Sequence, residues 1–129
     1  MIYIVLNGVA ILSATLAGLV FGAAYYGLFD RSRLRGFATF VIAFVAEAWL
    51  CAILAGALIL APPKGSVWTM TLGSAFVIWL GFVVPSLAAS YRFRALAGRA
   101  VLVDCGYWLG VMLVQAAVLR LIGLVPPPV

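Results

Sequence analysis

A chain of 129 residues with 67% of them apolar, 9% charged and a mean hydropathy of +1.28 is not a water-soluble domain, in which about a quarter of residues carry charge. Eight Lys and Arg stand against three Asp and Glu, and the chain has no His. A His-ligated haem, chlorophyll or zinc site is therefore excluded, together with any catalysis that relies on imidazole.

Apolar stretches of about 20 residues, the length a helix needs to cross roughly 30 Å of hydrocarbon, occur four times. The first runs from Ile2 to Phe29. No Lys or Arg precedes it and it is longer than the apolar region of a signal peptide, so it reads as a retained helix. The second, Phe37 to Ala61, carries Glu47; the third, Val67 to Tyr91, carries Pro85; the fourth, Ala100 to Val125, carries Asp104 and Gln115. Short links join them, which makes neighbours antiparallel. The fold expected is a single all-α domain, an integral membrane four-helix bundle running up-down-up-down.

The links after the first and third helices hold Arg31, Arg33, Arg35, Arg92, Arg94 and Arg99, whereas the middle link holds only Lys64. The positive-inside bias puts both arginine links in the cytoplasm. Both termini are then expected on the opposite face, in a bacterial inner membrane. Three arginines per link could also attract anionic headgroups, although orientation alone requires as many.

Helices in lipid gain little from burying apolar surface against one another, so close backbone approach through small residues has to hold the bundle. Ala10, Ala14, Gly18 and Gly22 follow one another at intervals of four, and Gly106 and Gly110 repeat the device in the fourth helix. Both ridges read as seams. Pro85 removes a backbone donor inside the third span and predicts a kink between Gly81 and itself.

Glu47 is the residue that stands out, because it lies ~15 Å along the second helix, near the middle of the bilayer. Holding a charge there is expensive, and burial favours the neutral acid unless a partner or water reaches it. Counting along the neighbouring helices places Trp79, Tyr107, Trp108 and Gln115 at depths from which they could supply donors. Two roles are open: a proton or cation site, or a hydrogen-bonded acid that fastens helices together. The lack of a second ionisable group at that depth favours the fastening role. Asp104 lies only ~6 Å inside the inner boundary. An ion pair with Arg99 or with one of Arg31, Arg33 and Arg35 is expected there. Arg120 is expected to snorkel toward the outer face, with Asn7 as a partner.

Other chemistry finds no residues. Cys51 and Cys105 fall on the order of 14 Å apart in depth, too far for a disulfide. No cysteine pair has metal-ligand spacing, no glycine-rich phosphate loop is present, and no serine has a base to activate it. Catalytic residues, cofactors and metals are accordingly not expected, and nucleic acid is not a plausible partner.

Several short segments carry a resemblance. Gly22 to Phe29 (Gly-Ala-Ala-Tyr-Tyr-Gly-Leu-Phe), Ala43 to Glu47, Trp79-Leu80-Gly81-Phe82 and Gly106-Tyr107-Trp108-Leu109 make the chain resemble a small four-helix bacterial membrane family known as domain of unknown function 1761. Tyr25 stands where that family usually has Trp, the Pro that follows is missing, and Trp108 occupies a place where His is expected. The resemblance implies the four-helix membrane fold and points again to Glu47, but supplies no mechanism.

The expected role is a non-enzymatic accessory or scaffold subunit, packing with itself or within a larger membrane complex. The alternative is a small proton- or cation-linked transporter or channel protomer that uses Glu47. Water-accessible space beside Glu47 would favour transport; a dry and fully bonded Glu47 would favour packing.

Overall fold

In the computed structural model, residues 2–34, 36–62 and 65–128 are described. Two helices, α1 (Ile2–Leu6) and α2 (Gly8–Phe29), form the first span. The hydrogen-bond ladder runs on through Asn7, which donates to Tyr3 and accepts from Ile11, so the two behave as nearly one helix. A single 3-10 turn, Arg31–Arg33, leads into α3 (Gly36–Leu60). The third span, Val67–Phe93, is α4 (Val67–Ile78), a π-helical turn at Trp79–Val83 and α5 (Val84–Phe93). The fourth is α6 (Gly98–Ile122), ended by Gly123 in the left-handed region at φ +95°. No strand occurs among the described residues, and four helices are long and apolar enough to cross a membrane.

The irregularity at Pro85 takes a definite form. A proline has no N–H to give the preceding turn, and the backbone widens into the π turn just before it. The Ser86 hydroxyl then donates to the Phe82 carbonyl at 2.5 Å. The carbonyl that Pro85 leaves without its i+4 donor is that of Gly81, one residue earlier, so the Ser86 bond is a serine back-bond to its own i−4 carbonyl.

The distribution of polarity is inverted relative to a soluble protein. Asn7, Thr15, Glu47, Thr71, Asp104 and Gln115 are all buried, while Val5, Val9, Phe37, Leu60, Phe82 and Leu102 face outward. Hydrocarbon around the bundle explains both halves of the pattern.

The small-residue ridge of α2 lies against α6. Ala10, Ala14, Gly18 and Gly22 are buried, and each glycine leaves room for one particular side chain. A Cβ at Gly22 would stand 2.6 Å from the Tyr107 ring, and one at Gly18 would stand 2.7 Å from Glu47 Oε1. The ridge of α6 works in the other direction. Tyr25 passes over Gly106 and the Phe21 ring lies over Gly110, while the Tyr25 hydroxyl donates to the Val103 carbonyl at 2.7 Å.

The two ends of the bundle differ. At one, Asn7 donates to the Val125 carbonyl at 2.8 Å and accepts the Val125 N–H at 2.7 Å, tying the first span to the segment after α6. Nearby, the Tyr3 hydroxyl donates to the Ala52 carbonyl at 3.0 Å. The other end gathers the 3-10 turn, the end of α5 and the start of α6. Both arginine-bearing links therefore share one end of the molecule; Arg35 itself lies outside the described residues, as do Pro63 and Lys64 of the middle link.

If the seam depends on these close approaches, Gly22→Ala pushes the Tyr107 ring away from α2 and costs about 1–3 kcal/mol by overpacking. Gly27→Ala, where a Cβ meets nothing within 4 Å, is neutral or stabilising by up to about 1 kcal/mol. Thermal unfolding of the two variants in mild detergent checks the difference.

Candidate functional site

Two buried acids organise the polar interior. Glu47 projects from the middle of α3 and is fully buried. Its Oε2 accepts the Tyr107 hydroxyl of α6 at 2.6 Å. Gln115, two turns further along α6, donates its amide N–H to the Glu47 backbone carbonyl at 3.2 Å. This leaves Glu47 Oε1 and Gln115 Oε1 buried with no hydrogen-bond partner among the described residues. Both atoms are acceptors; a Cβ added at Gly18 would stand 2.7 Å from Glu47 Oε1 and 3.3 Å from the Gln115 amide nitrogen. An unanswered buried acceptor costs about 1–3 kcal/mol.

The surroundings of Glu47 correct part of the expectation. Tyr107 reaches the carboxylate, whereas Gln115 reaches the backbone. The Trp79 indole N–H donates instead to the Cys105 carbonyl at 2.8 Å, because the π turn aims it at the start of α6. Trp108 points out of the site: it meets Tyr107 edge-on and lines a surface groove with Leu50 and Phe82. Cys51 and Cys105 are free buried thiols.

Asp104, one and a half turns into α6, is bonded to a degree that Glu47 is not. Arg33 donates Nη1 to both carboxylate oxygens, at 2.8 and 2.9 Å. The Tyr26 hydroxyl donates to Oδ1 at 2.7 Å and the Tyr91 hydroxyl to Oδ2 at 2.5 Å. One carboxylate thus collects α2, the 3-10 turn and α5 onto α6. Of the four arginines proposed for it, Arg33 makes the pair; Arg31 and Arg99 make none among the described residues, and Arg35 lies outside them. Sequence reading missed the two tyrosines. Their signal was available, since phenols at the ends of helices one and three sit at the depth of an acid one turn into helix four.

Arg33 also pairs with Asp30 at 3.1 Å. The Ser32 hydroxyl, and after it the Arg33 guanidinium, hold the Asp30 carboxyl below its ordinary value of 3.8. This side chain is exposed, so the link it makes is weak; it is present at neutral pH and fades only as pH falls below the usual carboxylate range.

The two clusters are joined. The Tyr26 and Tyr107 rings stack with centroids 4.6 Å apart and planes at 24°, and the Arg33 guanidinium lies 5.6 Å from the Tyr26 ring centroid. Beside this chain of side chains a cleft of about 80 Å³ runs between α2 and α3, lined by Glu47, Tyr107, Gly22, Tyr26, Thr39 and Arg33 among others. That volume holds a few water molecules. It leads from the arginine end of the bundle to the mid-span acid.

The other expected pair is not formed. Arg120 donates Nε to Thr71 Oγ1 at 2.8 Å, and Asn7 is already engaged by Tyr3 and Val125. Asn7 sits on the first span, whereas the Arg120 guanidinium turns toward α4.

Four long apolar helices around a polar interior define an all-α bundle built to pass a membrane several times. A family model described as Protein of unknown function (DUF1761) matches residues 9–120, and the chain belongs to that family. No curated protein and no solved structure matches.

Replacing the Asp104 carboxylate by an amide keeps one acceptor oxygen, removes the charge that answers Arg33 and turns the other acceptor into a donor facing donors. Asp104→Asn lowers stability by about 2 kcal/mol, less than for a fully buried ion pair because a third of the Arg33 side chain is exposed. Arg99→Gln leaves stability unchanged. Detergent melts of both variants test the assignment of the pair to Arg33.

Proposed function

We propose that the protein is a small proton- or cation-linked transporter or channel protomer in which Glu47 binds the transported or coupling charge. The observation that carries this reading is that Glu47 Oε1 is buried with no hydrogen-bond partner among the described residues, on a residue that lines the cleft from Arg33. A buried carboxylate oxygen without a donor is a site for one positive charge: a proton on the carboxylate itself, or a small cation held against it. An acid retained only as a fastener would be expected to have both oxygens bonded, as Asp104 has.

The arrangement also provides a route. The cleft reaches the arginine end, which on the positive-inside bias is the cytoplasmic face, and the Arg33 and Asp104 cluster forms the mouth of that route. The Trp79–Val83 π turn is the break in the bundle at which the other half of a pathway would open. On this reading the chain is non-enzymatic and resides in a bacterial inner membrane with both termini outside.

A second reading, an accessory or scaffold subunit, is favoured by the third span, in which only 6% of the apolar window is buried. So bare a helix suits a neighbour. Under this reading the protein purifies from mild detergent with a partner or as an oligomer, and a monodisperse monomer counts against it.

Reconstitution into liposomes with an imposed pH gradient or a sodium or potassium gradient tests the leading reading. Wild type is expected to dissipate one of these gradients under a potential, and Glu47→Gln, which keeps the shape and loses the titrating group, is expected to fall to the rate of protein-free vesicles. Equal rates for the two proteins, or no flux from either, remove it.

A further inference from the structure

At the end of the bundle opposite the arginine-bearing links, a half-open cavity of about 290 Å³ lies between the end of α3, the start of α4 and the segment after α6. Most of the side chains that line it are apolar, including Leu58, Met70 and Leu124, while backbone groups and Arg120 supply polar surface. The charged side chain among the lining residues is Arg120. Thr71 fixes its direction by accepting from Nε, while the Thr71 hydroxyl is itself held by the Val67 carbonyl at 2.8 Å. The chain has three acidic side chains, and none of them answers Arg120. Asp30 and Asp104 pair with Arg33 at the opposite end, and Glu47 takes the Tyr107 hydroxyl. Arg120 thus has no counter-ion among the described residues.

The cavity continues into a second space. Pro62 and Met70 line it and also line a groove of about 550 Å³ that descends between α3 and α4 past Gly73 to Ile78. From Met70 to Ile78 is roughly 12 Å along a helix. The groove is open because Gly73 has no side chain, and a Cβ there would meet nothing within 4 Å. A groove of that length, lined mostly by apolar side chains, suits an alkyl chain lying along α3 and α4.

We propose that cavity and groove together form a binding site for an anionic phospholipid, with its phosphate against Arg120 and one acyl chain between α3 and α4. The planar guanidinium matches phosphate oxygens in pairs. An acyl chain entering the groove leaves one hydrocarbon environment for another, so the tail contributes fit and the headgroup contributes selectivity. Binding therefore depends on headgroup charge and on an open groove at once. This site is separate from Glu47 and does not depend on the transport reading.

Native mass spectrometry of the protein in a neutral detergent, titrated with phosphatidylglycerol or with phosphatidylcholine of the same chains, tests the proposal. Wild type is expected to retain one phosphatidylglycerol and to lose phosphatidylcholine. Arg120→Gln is expected to lose the adduct and Arg120→Lys to recover part of it. Gly73→Leu fills the groove from open space, so it is expected to abolish the adduct without lowering the melting temperature, which keeps the test valid if Arg120→Gln does not fold. Arg92→Gln with Arg94→Gln, at the other end, is expected to leave the adduct intact. Equal retention by wild type and Arg120→Gln, equal retention of the two lipids, or a lipid-free dimer that disappears in Gly73→Leu would each overturn it.

Discussion

A carboxyl group held among apolar helices half-way along their length has no water to turn to, and the rest of the interior is arranged around that fact. Glu47 draws the Tyr107 hydroxyl from α6 and the Gln115 amide to its own backbone carbonyl. Gly18 and Gly22 are small because the Glu47 carboxylate and the Tyr107 ring occupy the space where their side chains would stand. The close approach of α2 to α6 and the placement of the acid are one arrangement. In lipid, where apolar contact between helices brings little gain, polar contacts of this kind do much to define how helices pair.

The two acids divide the labour. Asp104 has donors on both oxygens and joins four segments at the arginine end, so it behaves as a structural clasp whose charge is answered. Glu47 has one oxygen answered and one open. The difference in environment, not in residue type, separates a fastener from a candidate binding group. The stacked Tyr26 and Tyr107 rings place the two within one continuous network.

The opposite end follows a different logic. There Arg120 has no acid to meet it among the described residues, and the small residues of α4 leave an open groove beside α3. The third span is accordingly the least enclosed part of the bundle. Its proline and π turn are affordable in that position because few interhelical contacts depend on a regular backbone there.

Composition and the spacing of apolar runs were enough to establish four crossings, antiparallel neighbours, both arginine links at one end, the small-residue seam and a mid-span acid at residue 47. Each follows from the thickness of hydrocarbon and the rise of a helix, which are local and one-dimensional quantities. Depth along a helix also placed Tyr107 at the level of Glu47. What depth cannot specify is rotation about the helix axis, and there only the packed structure decides: Trp79 turns to the Cys105 carbonyl, Trp108 to the surface, Arg33 rather than its neighbours to Asp104, and Arg120 to Thr71 rather than Asn7. The same angular information, set by which small residues allow which helices to close, determines that one oxygen of Glu47 packs against Gly18 with no hydrogen-bond partner among the described residues.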